Sequence, residues 1–309
     1  MRAAALTVLR GFCMGAADIV PGVSGGTVAL VLGIYHRLVA AIQAGSSALG
    51  HLVKLDVSGG VRRLREVEWA LLIPLLCGIL LAVLSLSHLL EELLHDHPVP
   101  MAGLFLGLVA GSTVVAWRLL EVRHPSRLVW LTGAAVLLFV ALGVSEGTSE
   151  ETVTQAADPA LWAFFGAGAV AICAMILPGV SGSFLLVVLG MYGAVLGAVN
   201  DRDLVVVAVF AFGCLVGLAV FSQGLHWALN RHYDVVMAML IGLMVGSTRV
   251  LWPWPAGVDS TALEAPEGDV AVTVALVVVG FVVVVGVDLL SRRIEGRTVA
   301  DEADEIRQS

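Results

Sequence analysis

The chain has 309 residues, 59% hydrophobic and only 14% charged, with a mean hydropathy of +0.96 and a formal net charge of −8. Soluble domains run nearer half apolar and a quarter charged, so an ordinary cytosolic enzyme, a disordered chain and a nucleic-acid binder are excluded. The composition predicts an all-α polytopic membrane protein with lipid as its outer solvent.

The start, Met1 to Arg10, resembles the basic region of a signal peptide. Arg10 interrupts the apolar run and no small-residue cleavage site follows, so the segment is expected to stay on the protein. Next comes PGVSGGTVALVLGIY, opening at Pro21, and a near copy, PGVSGSFLLVVLGMY, opens at Pro178. A second pair follows in the same order: GLVAGSTVVAW from Gly107 matches GLMVGSTRVLW from Gly242 at seven of 11 positions. Two collinear matches mark an internal repeat, with halves over 1–150 and 158–295 and a tail over 296–309.

Long apolar runs predict spans over 69–90, 99–117 and 128–144 in the first half, then over 204–229, 235–251 and 270–290 in the second. Each is near the roughly 20 residues a helix needs to cross hydrocarbon. The PGVSG segments, about 5–42 and 159–199, are too long for one crossing and are broken by Pro-Gly at their middle. Freed backbone groups at membrane depth must be covered by protein or line a cavity. Re-entrant hairpins fit better. With hairpins and a cytoplasmic N-terminus, 15 of the 17 basic residues fall inside, leaving Arg202 and Arg249 outside. Single crossings leave only 10 of the 17 inside in the best orientation. Three full crossings per half then invert the second repeat relative to the first, the plan of secondary transporters whose sites lie where broken helices meet.

Each PGVSG motif offers backbone N–H groups at a helix start, with glycines that let a ligand approach closely. Gly22, Ser24, Gly25, Gly26 and Thr27 in the first copy, and Gly179, Ser181, Gly182 and Ser183 in the second, form nests suited to an anion, above all a phosphate. Pro21 and Pro178 supply the breaks; the plainer alternative is a pair of tight packed turns. Asp18, three residues before Pro21, is an intramembrane carboxylate absent from the second copy, where Met175 stands. It reads either as a proton- or cation-coupling group or as a structural cap on the hairpin break. Arg249 either meets a phosphate at the outer entrance or snorkels beside Trp252 and Trp254.

Other motifs compete. Gly22-Val23-Ser24-Gly25-Gly26 matches a nucleophile elbow, which needs a strand that is not expected here. G-x-S-G also resembles the serine motif of rhomboid intramembrane proteases, with Ser24 as nucleophile and His226 as its only fair histidine. His95-Asp96-His97 sits in a short polar loop and is expected to be solvated. Cys13, Cys77, Cys173 and Cys214 lie in apolar stretches without paired spacing and read as small apolar residues. No cofactor or metal is expected. The expected partners are the bilayer and an anionic ligand, and the oligomeric state, a homo-oligomer included, is left open.

Through Met14 to Thr27, through the second ILPGVSGSFLLVVLGMY, and through the order of spans, the chain resembles the polyprenyl-phosphate (undecaprenyl-phosphate) translocases of the PopT type. The resemblance implies return of undecaprenyl phosphate from the outer to the inner leaflet of a bacterial cytoplasmic membrane, for cell-wall and surface-glycan synthesis. It carries the family motif onto Asp18, Pro21, Gly22, Ser24, Gly25, Gly26, Thr27, Pro178, Gly179, Ser181 and Gly182.

Overall fold

The computed structural model describes residues 2–19, 24–53, 56–118, 120, 125–144, 159–182, 185–186, 189–257 and 262–308. Among them every regular element is a helix: α1 (Arg2–Asp18), α2 (Gly25–Val31), α3 (Tyr35–Val53), α4 (Val57–Glu66), α5 (Trp69–Asp96), α6 (Pro98–Arg118), α7 (Pro125–Val144), α8 (Leu161–Ile176), α9 (Tyr192–Asn200), α10 (Leu204–Arg231), α11 (Tyr233–Ser247) and α12 (Val270–Gln308). Five stretches are long and apolar enough to cross a membrane: Trp69–Asp96, Pro98–Arg118, Pro125–Gly143, Leu204–Arg231 and Val270–Leu289.

Three features differ from the expected elements. The stretch from each PGVSG to residues 42 and 199 is not one helix. It breaks at Gly33 and Gly190, both with positive φ, +68° and +67°. There Ile34 N–H reaches back to Ala29 O at 3.0 Å and Met191 N–H to Leu186 O at 2.9 Å, the six-to-one bond that closes a helix at a left-handed glycine. The span expected over 235–251 is shorter, since α11 has 15 residues. The two GST strings explain it. In α6, Ser112 and Thr113 hydroxyls donate four residues back, to Leu108 and Val109 carbonyls, and the helix runs on. In α11, Ser247 and Thr248 donate three residues back, to Met244 and Val245, and the helix tightens and ends. Finally, α4 was not expected. Asp56 starts it by accepting the Gly59 N–H at 2.8 Å.

Four helix pairs carry most of the packing: α1 on α5, α8 on α10, α6 on α12 and α7 on α11. Glycines permit it by bringing backbones into contact, which in a bilayer replaces the missing hydrophobic drive between helices. A methyl on Gly11 would collide with the Leu75 carbonyl, and one on Gly168 with that of Phe210. Gly78 faces Val8 in the same way, and Gly213 faces Phe165. The spacing from Pro21 to Pro178 also separates Gly11 from Gly168 and Val8 from Phe165. Likewise Gly107 and Gly111 lie on Val277 and Phe281, while their sequence matches Gly242 and Gly246 lie on Leu131 and Ala135. The packing register therefore repeats along with the sequence. The third helices are exchanged: α12 covers α6 and α7 covers α11. Between these pairs a buried core gathers Ala29, Leu30, Ile34 and Tyr35 with Leu225, Met237, Ile241 and Met244.

Candidate functional site

Asp18 ends α1 beside the middle of α5, where Gly15 packs on Ile79 and Ala82. The chain then returns through α2, and by Arg37 it has reached the start of α5, since Arg37 forms an ion pair with Glu68 just before Trp69. Ser24 opens α2 with an extended backbone, and its hydroxyl oxygen accepts the Gly26 N–H at 3.1 Å. Its neighbours in space come from the other half. The Ser24 hydroxyl lies 3.4 Å from the Leu177 carbonyl oxygen and 3.5 Å from that of Met175, and donates toward them. Thr27 Oγ1, buried, accepts the Gly179 N–H at 3.1 Å, and the Tyr35 hydroxyl donates to Ile176 O at 3.1 Å. Gly26 sits so close to the same segment that a methyl there would lie 2.9 Å from Ile176 O. The two motifs thus meet face to face within the core.

The second motif is held from a third side. Gly179 takes φ +82° and lies against α11, where a methyl would come within 2.8 Å of the Met244 Cα. Both the backbone angle and the space require glycine here. Gly182 faces Met175, and a methyl there would lie 2.6 Å from the Met175 Cγ. Pro178 and Ser181 are among the described residues, and Pro178 stands in the turn after α8. Pro21, Gly22 and Ser183 lie outside them.

Asp18 Oδ1 accepts the Gly25 N–H at 2.6 Å. This is the capping contact that the sequence left open against a coupling role, and it puts the carboxylate at the mouth of the first motif. Three donors of the nests are therefore occupied from within: Gly25 by Asp18, Gly26 by Ser24 and Gly179 by Thr27. Any anion entering here competes with side-chain oxygens.

Arg249 follows Met244 by little more than a turn. Its guanidinium lies over the Phe139 ring at 5.0 Å and against Gly143, both on α7. The competing motifs find no matching geometry. Ser24 Oγ is committed to Gly26 and the 175–177 carbonyls, while His226 Nε2 accepts from Asn230 at 3.0 Å and its ring lies 5.9 Å from that of His36. His95 and Asp96 are exposed, and no group of three metal-ligand residues occurs among the described residues.

Two site features escaped the sequence reading. Tyr35 ties the return arm to the second motif, and its signal was the identical Tyr192 in the other copy. Asp288 is a second carboxylate within an apolar span. Only 9% of its side chain is exposed, and it pairs with Arg118 at 3.2 Å. Standing just before Arg292 and Arg293 it reads as a helix end, and only the fold brings Arg118 to it.

A family model described as undecaprenyl phosphate translocase-like matches residues 14–267. The polyprenyl-phosphate transporter of Vibrio cholerae serotype O1 is 41% identical over 248 residues, covering 80% of this chain and 77% of that protein. The polyprenyl-phosphate transporter of Staphylococcus aureus is 33% identical over 260 residues, covering 80% of this chain and 86% of that one. No solved structure matches the chain.

Proposed function

The chain belongs to the undecaprenyl phosphate translocase-like family, and we propose that it returns undecaprenyl phosphate from the outer to the inner leaflet of a bacterial cytoplasmic membrane. Both termini face the cytoplasm, and the two halves act as inverted repeats with one re-entrant hairpin each. The repeated packing register, down to Gly11 with Gly168 and Gly78 with Gly213, supports two equivalent halves. The Arg37–Glu68 pair at the foot of α5 supports a first hairpin that turns back where Asp18 ends α1.

One observation carries the reading: Ser24 and Thr27 of the first motif bind the backbone of residues 177–179 in the second. A phosphate between them, displacing the side-chain oxygens of Asp18, Ser24 and Thr27, takes N–H donors from both halves. The paired motifs hold the head, and the polyprenyl tail stays in lipid. Arg249 draws the head in from the outer side. Because Asp18 holds the Gly25 N–H, protonating Asp18 removes its charge and weakens that hold, so proton uptake and phosphate binding favour one another. Rocking of the hairpins, hinged at Gly33 and Gly190, then exposes the head to the inner leaflet.

The test is transport of undecaprenyl phosphate across reconstituted vesicles by wild type and by Ser24→Ala/Ser181→Ala. Loss of about tenfold or more in initial rate, about 1.4 kcal/mol or more of transition-state stabilisation, is expected of the double variant. Wild-type rates from it sink the paired-motif site. Equal wild-type rates with free phosphate or with glycerophospholipid in place of undecaprenyl phosphate identify a transporter of another anion or lipid phosphate.

A further inference from the structure

The repeat register leaves one part of the chain without a counterpart. Helix α9 ends at Asn200 and α10 follows at Leu204, whereas α3 runs on to Val53 and α4 intervenes before α5. The surplus in the first half is the end of α3 together with α4. It folds as a helical hairpin of its own. His51 Nδ1 pairs with Asp56 Oδ2 at 2.9 Å, and Asp56 caps α4. The hairpin does not rest on its own half alone. It reaches across to α10 of the second half, where Ser46 Oγ meets the buried Ser222 Oγ at 3.2 Å.

Between α3 and α10 lies a cavity of about 570 Å³. That is a typical size for a small-molecule site, about 300–1,000 Å³. One wall is the apolar face of α10, including Phe212, Leu215 and Val220, which are exposed on a helix apolar enough to cross a membrane. The slot therefore opens toward hydrocarbon. Its opposite edge is polar, with Ser47 and His51 from α3, and Gln223 closes it from α10. The chemistry of that edge is directed. Gln43 donates to Ser47 Oγ at 3.1 Å, which leaves the Ser47 hydroxyl proton for another acceptor. Asp56 takes the Nδ1 side of His51, which leaves Nε2 as the nitrogen available to a ligand. The Gly59 N–H, the Ser58 hydroxyl and His51 hold the Asp56 carboxyl below its ordinary range, so that carboxylate stays charged. No lining residue is a carboxylate.

We propose that this slot is a binding site for a single-chain lipid phosphate, with the chain along α10 and the phosphate at Ser47 and His51. It is separate from the PGVSG crossing. A slot bounded by two helices accepts one chain in single file, which suits a polyprenyl phosphate and not the paired chains of a glycerophospholipid. A phosphate, whose oxygens accept and whose P–OH donates, complements the Ser47 hydroxyl and His51 Nε2 on that edge. On the transport reading, on which this rests, the slot is a docking station on one side only of a twofold scaffold.

The experiment uses the full chain in phosphatidylcholine vesicles carrying undecaprenyl phosphate with a diazirine in its chain. Crosslinks in the wild type are expected on the α10 stretch 212–223, with about a tenfold loss in Ala219→Trp, which fills the slot, and a comparable loss in His51→Gln, which removes its imidazole. Crosslinks elsewhere, equal labelling in both variants, or full displacement by an equal mole fraction of phosphatidylglycerol overturns the proposal. If Ala219→Trp does not fold, the wild-type map and His51→Gln still decide it. The two readings fail differently. A labelled slot in vesicles that transport no undecaprenyl phosphate leaves the slot standing and ends the transport reading. Normal transport with an unlabelled slot ends only the slot.

Discussion

Gly25 and Gly182 hold the same place in the two halves, yet each faces a different side chain: the Asp18 carboxylate in the first and Met175 in the second. Around them the halves match closely. Both return arms break at a left-handed glycine, Gly33 and Gly190, and both first arms pack on a span through matched glycines, Gly11 and Gly168. The scaffold is duplicated and the charge is not. Features present in both copies are what the fold needs, because either half lost its packing partner without them. Features in one copy alone, Asp18 and the α3–α4 hairpin, are free of that duty, and the asymmetric roles proposed above fall on them.

The largest expected effect tests the duplicated part. Gly78→Val and Gly213→Val each drive a side chain into a carbonyl, of Val8 and Phe165 respectively. Both sit on helix backbone that cannot yield without separating the helix pair, so each is expected to cost about 3 kcal/mol or more. Thermal unfolding of the purified protein in detergent checks this, with similar losses from the two variants. A large loss from one and none from the other breaks the equivalence of the halves.

Next comes the unduplicated charge. Asp18→Ala leaves the Gly25 N–H without its acceptor, a loss of about 1–3 kcal/mol, whereas Met175→Ala at the matched place only trims packing. Asp18→Asn keeps an oxygen for Gly25 but cannot exchange a proton. Vesicles with Asp18→Asn are expected to transport without responding to an imposed pH gradient. A normal response from them removes the coupling role and leaves Asp18 as a cap.

The sequence made the plan visible where the repeat left strings. PGVSG and GST are long enough to exceed chance, and Asp18 stands out as a carboxylate in an apolar run. The glycine pairs Gly11/Gly168 and Gly78/Gly213 were invisible because the constraint acts on backbone approach. The residues opposite them, Leu75 against Phe210 and Val8 against Phe165, were free to differ. Helix α4 was missed because its VRRLRE stretch has few apolar residues, and its start depends on the Asp56 cap. The nests themselves were legible as donors but not as donors already filled. That needed the return of Asp18, Ser24 and Thr27 onto Gly25, Gly26 and Gly179, two of these contacts local and one across the halves.

The smallest effect is the sharpest probe of how far the twofold relation extends. Tyr35 and Tyr192 begin α3 and α9 at matched places in the two return arms. The Tyr35 hydroxyl, nearly buried with 4% of the residue exposed, donates to Ile176 O in the other half. Tyr192 is less buried, and its hydroxyl has no partner among the described residues. Tyr35→Phe therefore deletes a cross-half hydrogen bond and leaves a carbonyl unpaired, at a cost of about 1 kcal/mol, while Tyr192→Phe costs nothing measurable. Unfolding of the two variants side by side reads the difference. Equal losses mean that Tyr192 makes the reciprocal bond to the first half in the folded membrane protein, and the crossing is then symmetric apart from Asp18. Unequal losses mean that the first return arm is fastened to the second motif more firmly than the reverse. On the transport cycle proposed above, the second arm is then the one that moves first.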